Sequence, residues 1–439
     1  MNRIGGVACV RRGSMGGRRE RSRQALVRLL AAFIAVLATA SGASGQRPGP
    51  TNTITDVPGI EVGHETRIGD GYRTGTTVVL VRQGATAGFS QQGGAPGTKE
   101  VALLEPGGLV TQVQAVVLSG GSAYGLDAAT GVMRWLEERG LGHPVRGGVV
   151  PIVPAAILYD LGRGGDFGAR PDAEFGYRAA DAANAGPVPM GRVGAGTGAS
   201  RGLGTASVVL ENGYTVGAIV GLNPAGSPVN PRTCLPYALF LELDGEFGLA
   251  EPAPEECPGA QAARAGEDEQ DSARRMAAGG ESAARRAGAA GGSDSSDGSD
   301  GPDGSVGSGG RGRVAGSAEV VPWDDASFNT TIAVVATDAP LDQTQAKRMA
   351  MIANSGLARS IKPVHNLGDG DLVFGLATTP PDGSLSNRDL NDIYNAAADA
   401  LGRAVVHALL NAGTIGETVG YCDRYPSVCR NRAGGAVNE

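Results

Sequence analysis

Between Pro258 and Val320 the chain contains no Leu, Ile, Phe, Tyr, Trp or Lys, and is mostly Gly, Ala, Ser, Asp, Glu and Arg. Such a segment cannot bury enough apolar area to offset the entropy of ordering it. Residues 258–320 therefore read as a disordered insertion or surface linker, and any core must be assembled from the two pieces of chain that it separates. A second stretch is set aside at the start. Arg11, Arg12, Arg18, Arg19, Arg21 and Arg23 precede an apolar run from Leu26 to Ala40 with small residues at its exit. That order describes a secretory signal, assigned to residues 1–47, with a retained membrane anchor as the alternative. The run is shorter than the ~20 residues of a spanning helix and contains Arg28, so no stable membrane span is expected after processing. The protein is expected to be exported, to the periplasm or beyond. Roughly 329 residues then remain for one large domain or two intimate ones.

Charge and residue usage narrow the chemistry. Thirty-eight basic side chains face 45 acidic ones, for a net charge of −7, and Lys99, Lys347 and Lys362 are the only lysines. No nucleic-acid partner is expected, because phosphate recognition needs clustered basic residues. His64, His143, His365 and His407 are the only histidines, and none sits in an H-E-x-x-H spacing. That argues against a zinc hydrolase, and neither metal nor cofactor is expected. The turn Gly194-Ala-Gly-Thr-Gly198 lacks the preceding strand and the later acidic residue of a dinucleotide loop, and reads as tight backbone packing or a substrate-lining loop. Cys234, Cys257, Cys422 and Cys429 remain after the signal, an even number that fits structural disulfides in an oxidising compartment. Metal ligation is the alternative for Cys422 and Cys429, but there is no C-x-x-C and no adjacent His.

Hydrophobic spacing predicts alternating strands and helices. Strands are expected at Thr76–Val81, Ala115–Leu118, Thr331–Asp338 and Asp371–Thr378. Helices are expected from the Leu118–Gly125 turn to Arg139, from about Leu341 to Ser360, and from Asn387 to Asn411. Val208–Leu210 and Thr215–Leu222 flank Asn212-Gly213, whose glycine supplies the positive φ of a hairpin turn. Strands with helices to cover both outer faces suggest a layered α/β sandwich.

The most suggestive junction is Trp323-Asp-Asp-Ala-Ser-Phe-Asn329-Thr330, which leads directly into a core strand. If the chain breaks before a Thr so placed, its Oγ becomes a nucleophile. Its freed α-amino group, with a pKa near 7.7–8.0, becomes a base on the same residue. Residue types alone leave this weak, since Thr is an ordinary strand former.

Here the sequence resembles a known family. Asn329 to Ala339, with Gly93-Gly-Ala-Pro-Gly-Thr98, Val117 to Ala128, Val150-Pro-Ile-Val-Pro-Ala-Ala156 and Gly191-Arg-Val-Gly-Ala-Gly-Thr-Gly198, is similar to the DmpA-type family. That family holds L-aminopeptidase/D-esterases, β-aminopeptidases and nylon-oligomer hydrolases. The resemblance implies an αββα fold, self-cleaved at Asn329–Thr330 into an α chain (48–329) and a β chain (330–439), and a homo-oligomer of αβ units. It implies Thr330 as nucleophile, Asp369 and Asp371 as an acidic pair, Asn223 as oxyanion donor and Tyr159 as a pocket residue near the tetrahedral intermediate. On residue types alone the two Asp read as a solvated turn, Asn223 as a turn before Pro224, and Tyr159 as core. The substrate implied is a small peptide or amide, cleaved by an aminopeptidase-like amidase. Alternatives are ω-amino-acid oligomers and acyl transfer to an amine, as in ornithine acetyltransferases of similar fold. One departure stands out: nylon-oligomer hydrolases place a Lys soon after Gly-x-Gly-Thr-Gly, whereas Gly198-Ala-Ser-Arg-Gly-Leu-Gly204 has none. Arg201 is a poor replacement because it does not exchange a proton. Either another group assists Thr330 or self-cleavage is slower.

Overall fold

A strand apolar on both faces needs cover on both sides, and most strands of this chain are of that kind. A computed structural model describes residues 46–257 and 328–432. The expected insertion, and all but the last two residues of the expected signal, lie outside the described residues. The strands are β1 (Glu61–Gly69), β2 (Tyr72–Gln91), β3 (Gly97–Lys99), β4 (Gln112–Ser119), β5 (His143–Val145), β6 (Gly148–Val150), β7 (Ala155–Ile157), β8 (Leu203–Val209), β9 (Thr215–Asn223), β10 (Thr330–Thr337) and β11 (Leu372–Ala377). The longer helices are α1 (Ala128–Glu137), α2 (Ala173–Asp181), α3 (Gln343–Ser360) and α4 (Asn387–Asn411).

Pairing runs β3–β7–β4–β2–β11–β10–β9–β8, with β1 on the first half of β2, while β5 and β6 form a separate hairpin. β2 joins the two halves of the sheet. Its residues Tyr72–Leu80 pair with β1, and Thr86–Gln91 pair with β11. Between them, the register against β4 shifts after Leu80 and Gly84 takes φ +82°. An irregularity of this type bends a strand and increases its twist.

Alternate strand residues then go to different cores. Val79, Val81, Leu118, Ile332, Val334 and Phe374 meet in one cluster between the two halves. Val78, Leu80 and Val117 point the other way, onto Val132 and Trp135 of α1 and Ala179 of α2. Ala333, Val335 and Val373 pack on Met349 and Leu357 of α3 and on Leu401 and Val405 of α4. Three cores between four layers make the expected αββα sandwich. Each fully buried Val, Leu or Ile contributes about 1.5–3 kcal/mol.

Local signals fix several boundaries. Asp342 caps α3 in a box with Gln345, and Ser386 caps α4 in a box with Asp389, satisfying N–H groups that a helix start leaves unpaired. Gly213 turns the β8–β9 hairpin at φ +92°. The helix expected from the Leu118–Gly125 turn begins instead as a 3-10 segment, Ser122–Asp127, because Gly121 and Ser122 both have positive φ. Cys234 pairs with Cys257, and Cys422 with Cys429. Among the described residues, no helix is long and apolar enough to cross a membrane.

Candidate active site

β10 begins at Thr330, which is 3% exposed and lies opposite Asn223 of β9 in the antiparallel register. One residue earlier, Asn329 bridges to Asp369, so the Asn329–Thr330 bond is held between two strand ends. The Thr330 hydroxyl donates to the Asn329 carbonyl oxygen. The same oxygen accepts from the Gly370 N–H at 3.0 Å. Arg163 fixes the other side of the junction, donating to Phe328 O at 2.6 Å and to Asn329 Oδ1 at 3.1 Å.

The two expected carboxylates flank Gly370 and are buried, each 1% exposed. This corrects the reading of Asp369-Gly370-Asp371 as a solvated turn. Asp371 Oδ1 accepts from Thr331 N at 2.7 Å, while Oδ2 accepts from His365 N at 3.2 Å and meets His365 Nδ1 at 2.8 Å. Asp369 Oδ1 accepts from Ala225 N at 3.1 Å, and Oδ2 accepts from Asn366 N and Nδ2 at 3.0 and 2.9 Å. Burial and the neighbouring Asp371 push the Asp369 carboxyl above the usual range. Gly370 packs on the nucleophile candidate itself. A Cβ there would stand 2.9 Å from Thr330 Oγ1 and 2.7 Å from Ala95 O. The Gly93–Thr98 motif backs this loop: Ala95 N donates to Asp369 O at 2.8 Å, and a Cβ at Gly93 would collide with Asp369 O and Asp371 N.

Asn223 is fully buried. Its Nδ2 donates to Tyr159 O at 2.9 Å and its Oδ1 accepts from Ser200 N at 2.9 Å. The carboxamide is thus oriented, on the residue that pairs with Thr330 across the β9–β10 ladder. Tyr159 stacks on Phe328 at 5.7 Å between centroids, and the Arg163 guanidinium lies 5.0 Å from the Tyr159 ring. All five expected site residues therefore gather around one peptide bond.

Sequence reasoning missed His365, Arg163, Asp160 and the Gly370 N–H. Asp160 is 5% exposed, and burial pushes its carboxyl up to about 6, against the pull of Thr74, Gly121 and Arg163. Thr74 Oγ1 and Gly121 N donate to it at 2.7 and 2.6 Å. A Cβ at Gly120 or Gly198 would collide with Asp160 Oδ2. The Ser-Gly-Gly-Ser and Gly-Ala-Gly-Thr-Gly motifs thus converge on one buried carboxylate, and their glycines make room for it. Arg201 is turned elsewhere: burial and the nearby Arg424 lower its pKa. Among the described residues, His365 and not a lysine is the basic side chain that touches the acidic pair, through Asp371.

The four-layer fold and the polar cluster around one threonine at a strand head define a hydrolase of peptide or amide bonds. The profile of peptidase family S58 matches residues 52–421, and the chain belongs to that family. An uncharacterized aminopeptidase of Mycobacterium leprae is 39% identical over 88% of this chain and 98% of its own length. A 6-aminohexanoate-oligomer endohydrolase of a Kocuria species is 26% identical over 74% of each chain. The solved L-aminopeptidase D-Ala-esterase/amidase of Ochrobactrum anthropi, described as a variant of the Ntn hydrolase fold, aligns with TM-score 0.54. It is 22% identical over 86% of this chain and 90% of its own.

Proposed function

We propose that the protein is a self-processing aminopeptidase-type hydrolase whose nucleophile is Thr330. The observation that carries this reading is the pairing at the junction: the Thr330 hydroxyl and the Gly370 N–H both address the Asn329 carbonyl oxygen. In self-cleavage, Thr330 Oγ1 attacks the Asn329 carbonyl carbon, and the hydroxyl proton passes to the departing amide nitrogen. Gly370 N–H stabilises the oxyanion, a contribution often worth about 3 kcal/mol for one donor. The ester so formed is opened by water, leaving an Asn329 carboxylate and a free Thr330 amine.

In turnover, that amine takes the hydroxyl proton as Oγ1 attacks a substrate carbonyl, and returns it to the leaving amine. Water then releases the acyl group. The Asn223 amide supplies the second oxyanion donor. Asp371 holds the head of β10 through Thr331 N, and the buried acidic pair attracts an ammonium near the scissile bond. Small aminoacyl p-nitroanilides should be cleaved and their N-acetylated forms should not. Equal rates on both would reject the aminopeptidase reading and leave a general amidase.

Asn329-Thr330 and Asp369-Gly370-Asp371 also favour a second reading, hydrolysis of ω-amino-acid oligomers, as the name of the Kocuria relative describes for that protein. Comparing L-Ala, D-Ala, β-Ala and 6-aminohexanoyl anilides separates the two. An assay with and without an amine acceptor separates hydrolysis from acyl transfer. Export is proposed as well, on the basic and apolar N-terminal segment together with the two disulfides. Assembly of αβ units into a homo-oligomer is proposed from the family resemblance.

A further inference from the structure

Beside the junction lies a cavity of about 740 Å³ walled by the β1–β2 turn, the Gly162–Gly164 loop and the Ile415–Thr418 loop. Its polar lining is dominated by two guanidiniums. Arg73, at the start of β2, is 8% exposed, and burial lowers its pKa against the opposing pull of Asp160. Its Nη2 donates to Thr418 Oγ1 at 2.8 Å, whereas its Nε is buried with no partner. A Cβ at Gly164 would collide with Arg73 Nη1, so the loop presents bare backbone to that group. Asp160 does not complete the pairing, since the bonds to its oxygens come from Thr74 and Gly121. Arg163 extends from the same cavity to Phe328 O and Asn329 Oδ1, which connects the cavity to the reacting bond. Glu417, also in the lining, is on the exposed side.

A buried guanidinium with an unpartnered Nε–H is matched by an anion that can accept from it. We propose that this cavity is an anion subsite in which Arg73 binds a carboxylate of the substrate, one or two residues from the scissile carbonyl. The subsite rests on the hydrolase reading for its link to turnover, but not for its ability to bind. The substrates it favours are short peptides with a free carboxylate, borne by the C-terminus or by an acidic side chain.

The test compares alanyl-glycine, alanyl-glycinamide and alanyl-aspartic acid α-amide, whose only carboxylate is on the side chain. A KM at least tenfold lower for alanyl-glycine than for alanyl-glycinamide supports binding of the terminal carboxylate. The same advantage for the aspartyl substrate alone assigns the site to an acidic side chain. In Arg73→Gln the advantage should disappear, the KM values for alanyl-glycine and alanyl-glycinamide becoming equal. Glutarate titrated by calorimetry into Thr330→Ala protein provides a readout free of turnover. Saturable binding that Arg73→Gln abolishes supports the subsite even if none of the three peptides is cleaved, an outcome that would count against the hydrolase reading alone. If Arg73→Gln does not fold, the wild-type comparison of KM values decides. Equal KM values for charged and neutral substrates, or no glutarate binding to Thr330→Ala, would overturn the proposal.

Discussion

Replacing Asp371 by Asn removes a charge while keeping the shape, so the structure dictates the outcome. The carboxylate faces donors only: Thr331 N on Oδ1, and His365 N with Nδ1 on Oδ2. An Asn has one oxygen and one NH2. If the oxygen keeps Thr331, the NH2 is driven against the His365 backbone N–H, which cannot change its role; if the amide flips, Thr331 N loses its acceptor at the head of β10. A change of histidine tautomer repairs Nδ1 but neither backbone group. One hydrogen bond to a charged acceptor is lost, worth about 1.5–3 kcal/mol, and one buried donor is left unsatisfied, costing about 1–3 kcal/mol. A destabilisation of about 3–4 kcal/mol follows. It is to be read as a lowered urea midpoint with unchanged slope, in a Thr330→Ala background so that cleavage does not confound it. Without that background, Asp371→Asn should also slow processing and turnover, because Thr331 no longer pins its neighbour. A loss below about 0.5 kcal/mol, with normal processing, would refute the claim that Asp371 holds the strand head.

Other perturbations test different parts of the site. Gly370→Ala changes no ionisable group but presses a methyl on Thr330 Oγ1 and Ala95 O, and misplacement by a fraction of an ångström should lower turnover about 10–100-fold; unchanged kcat would show that Gly370 does not pack on the nucleophile. Asp160, pushed from 3.8 up to about 6 by burial, keeps its proton in the folded state after the unfolded chain has lost it. Stability should therefore fall as pH rises from about 4 to 6, by about 3 kcal/mol from this group. Urea midpoints across that range should flatten in Asp160→Asn, and an identical pH dependence in both proteins would remove Asp160 as the cause.

Elements with strong local signals were legible. The helix expected from Asn387 to Asn411 matches α4 to the residue, and Asn212-Gly213 announced the β8–β9 turn. β2 was legible only at Thr76–Val81, because Arg82, Gln83 and Gly84 break the pattern where the strand bends between the two halves. At the site, the family resemblance carried Thr330, Asn223, Tyr159 and the acidic pair, and residue types alone did not. Asp369 and Asp371 look like a turn because the segment that buries them, Gly93–Thr98, lies far away in the chain. Gly370 contributes a backbone N–H, which has no side-chain signature. His365 and Arg163 stand in loops, where no periodicity reports which way a side chain faces. The glycines of Gly194–Gly198 were visible, but the carboxylate they make room for, Asp160, is a contact that only the fold creates.

The central claim is that Thr330 severs the bond before it and then acts from the new N-terminus. Intact-mass measurement with Edman sequencing of the purified protein tests this most directly. The account predicts a fragment of 110 residues beginning at Thr330, present in the wild type and absent in Thr330→Ala, which should remain whole and inactive. An unbroken wild-type chain that hydrolyses aminoacyl anilides, or a new N-terminus at any residue other than Thr330, would contradict it.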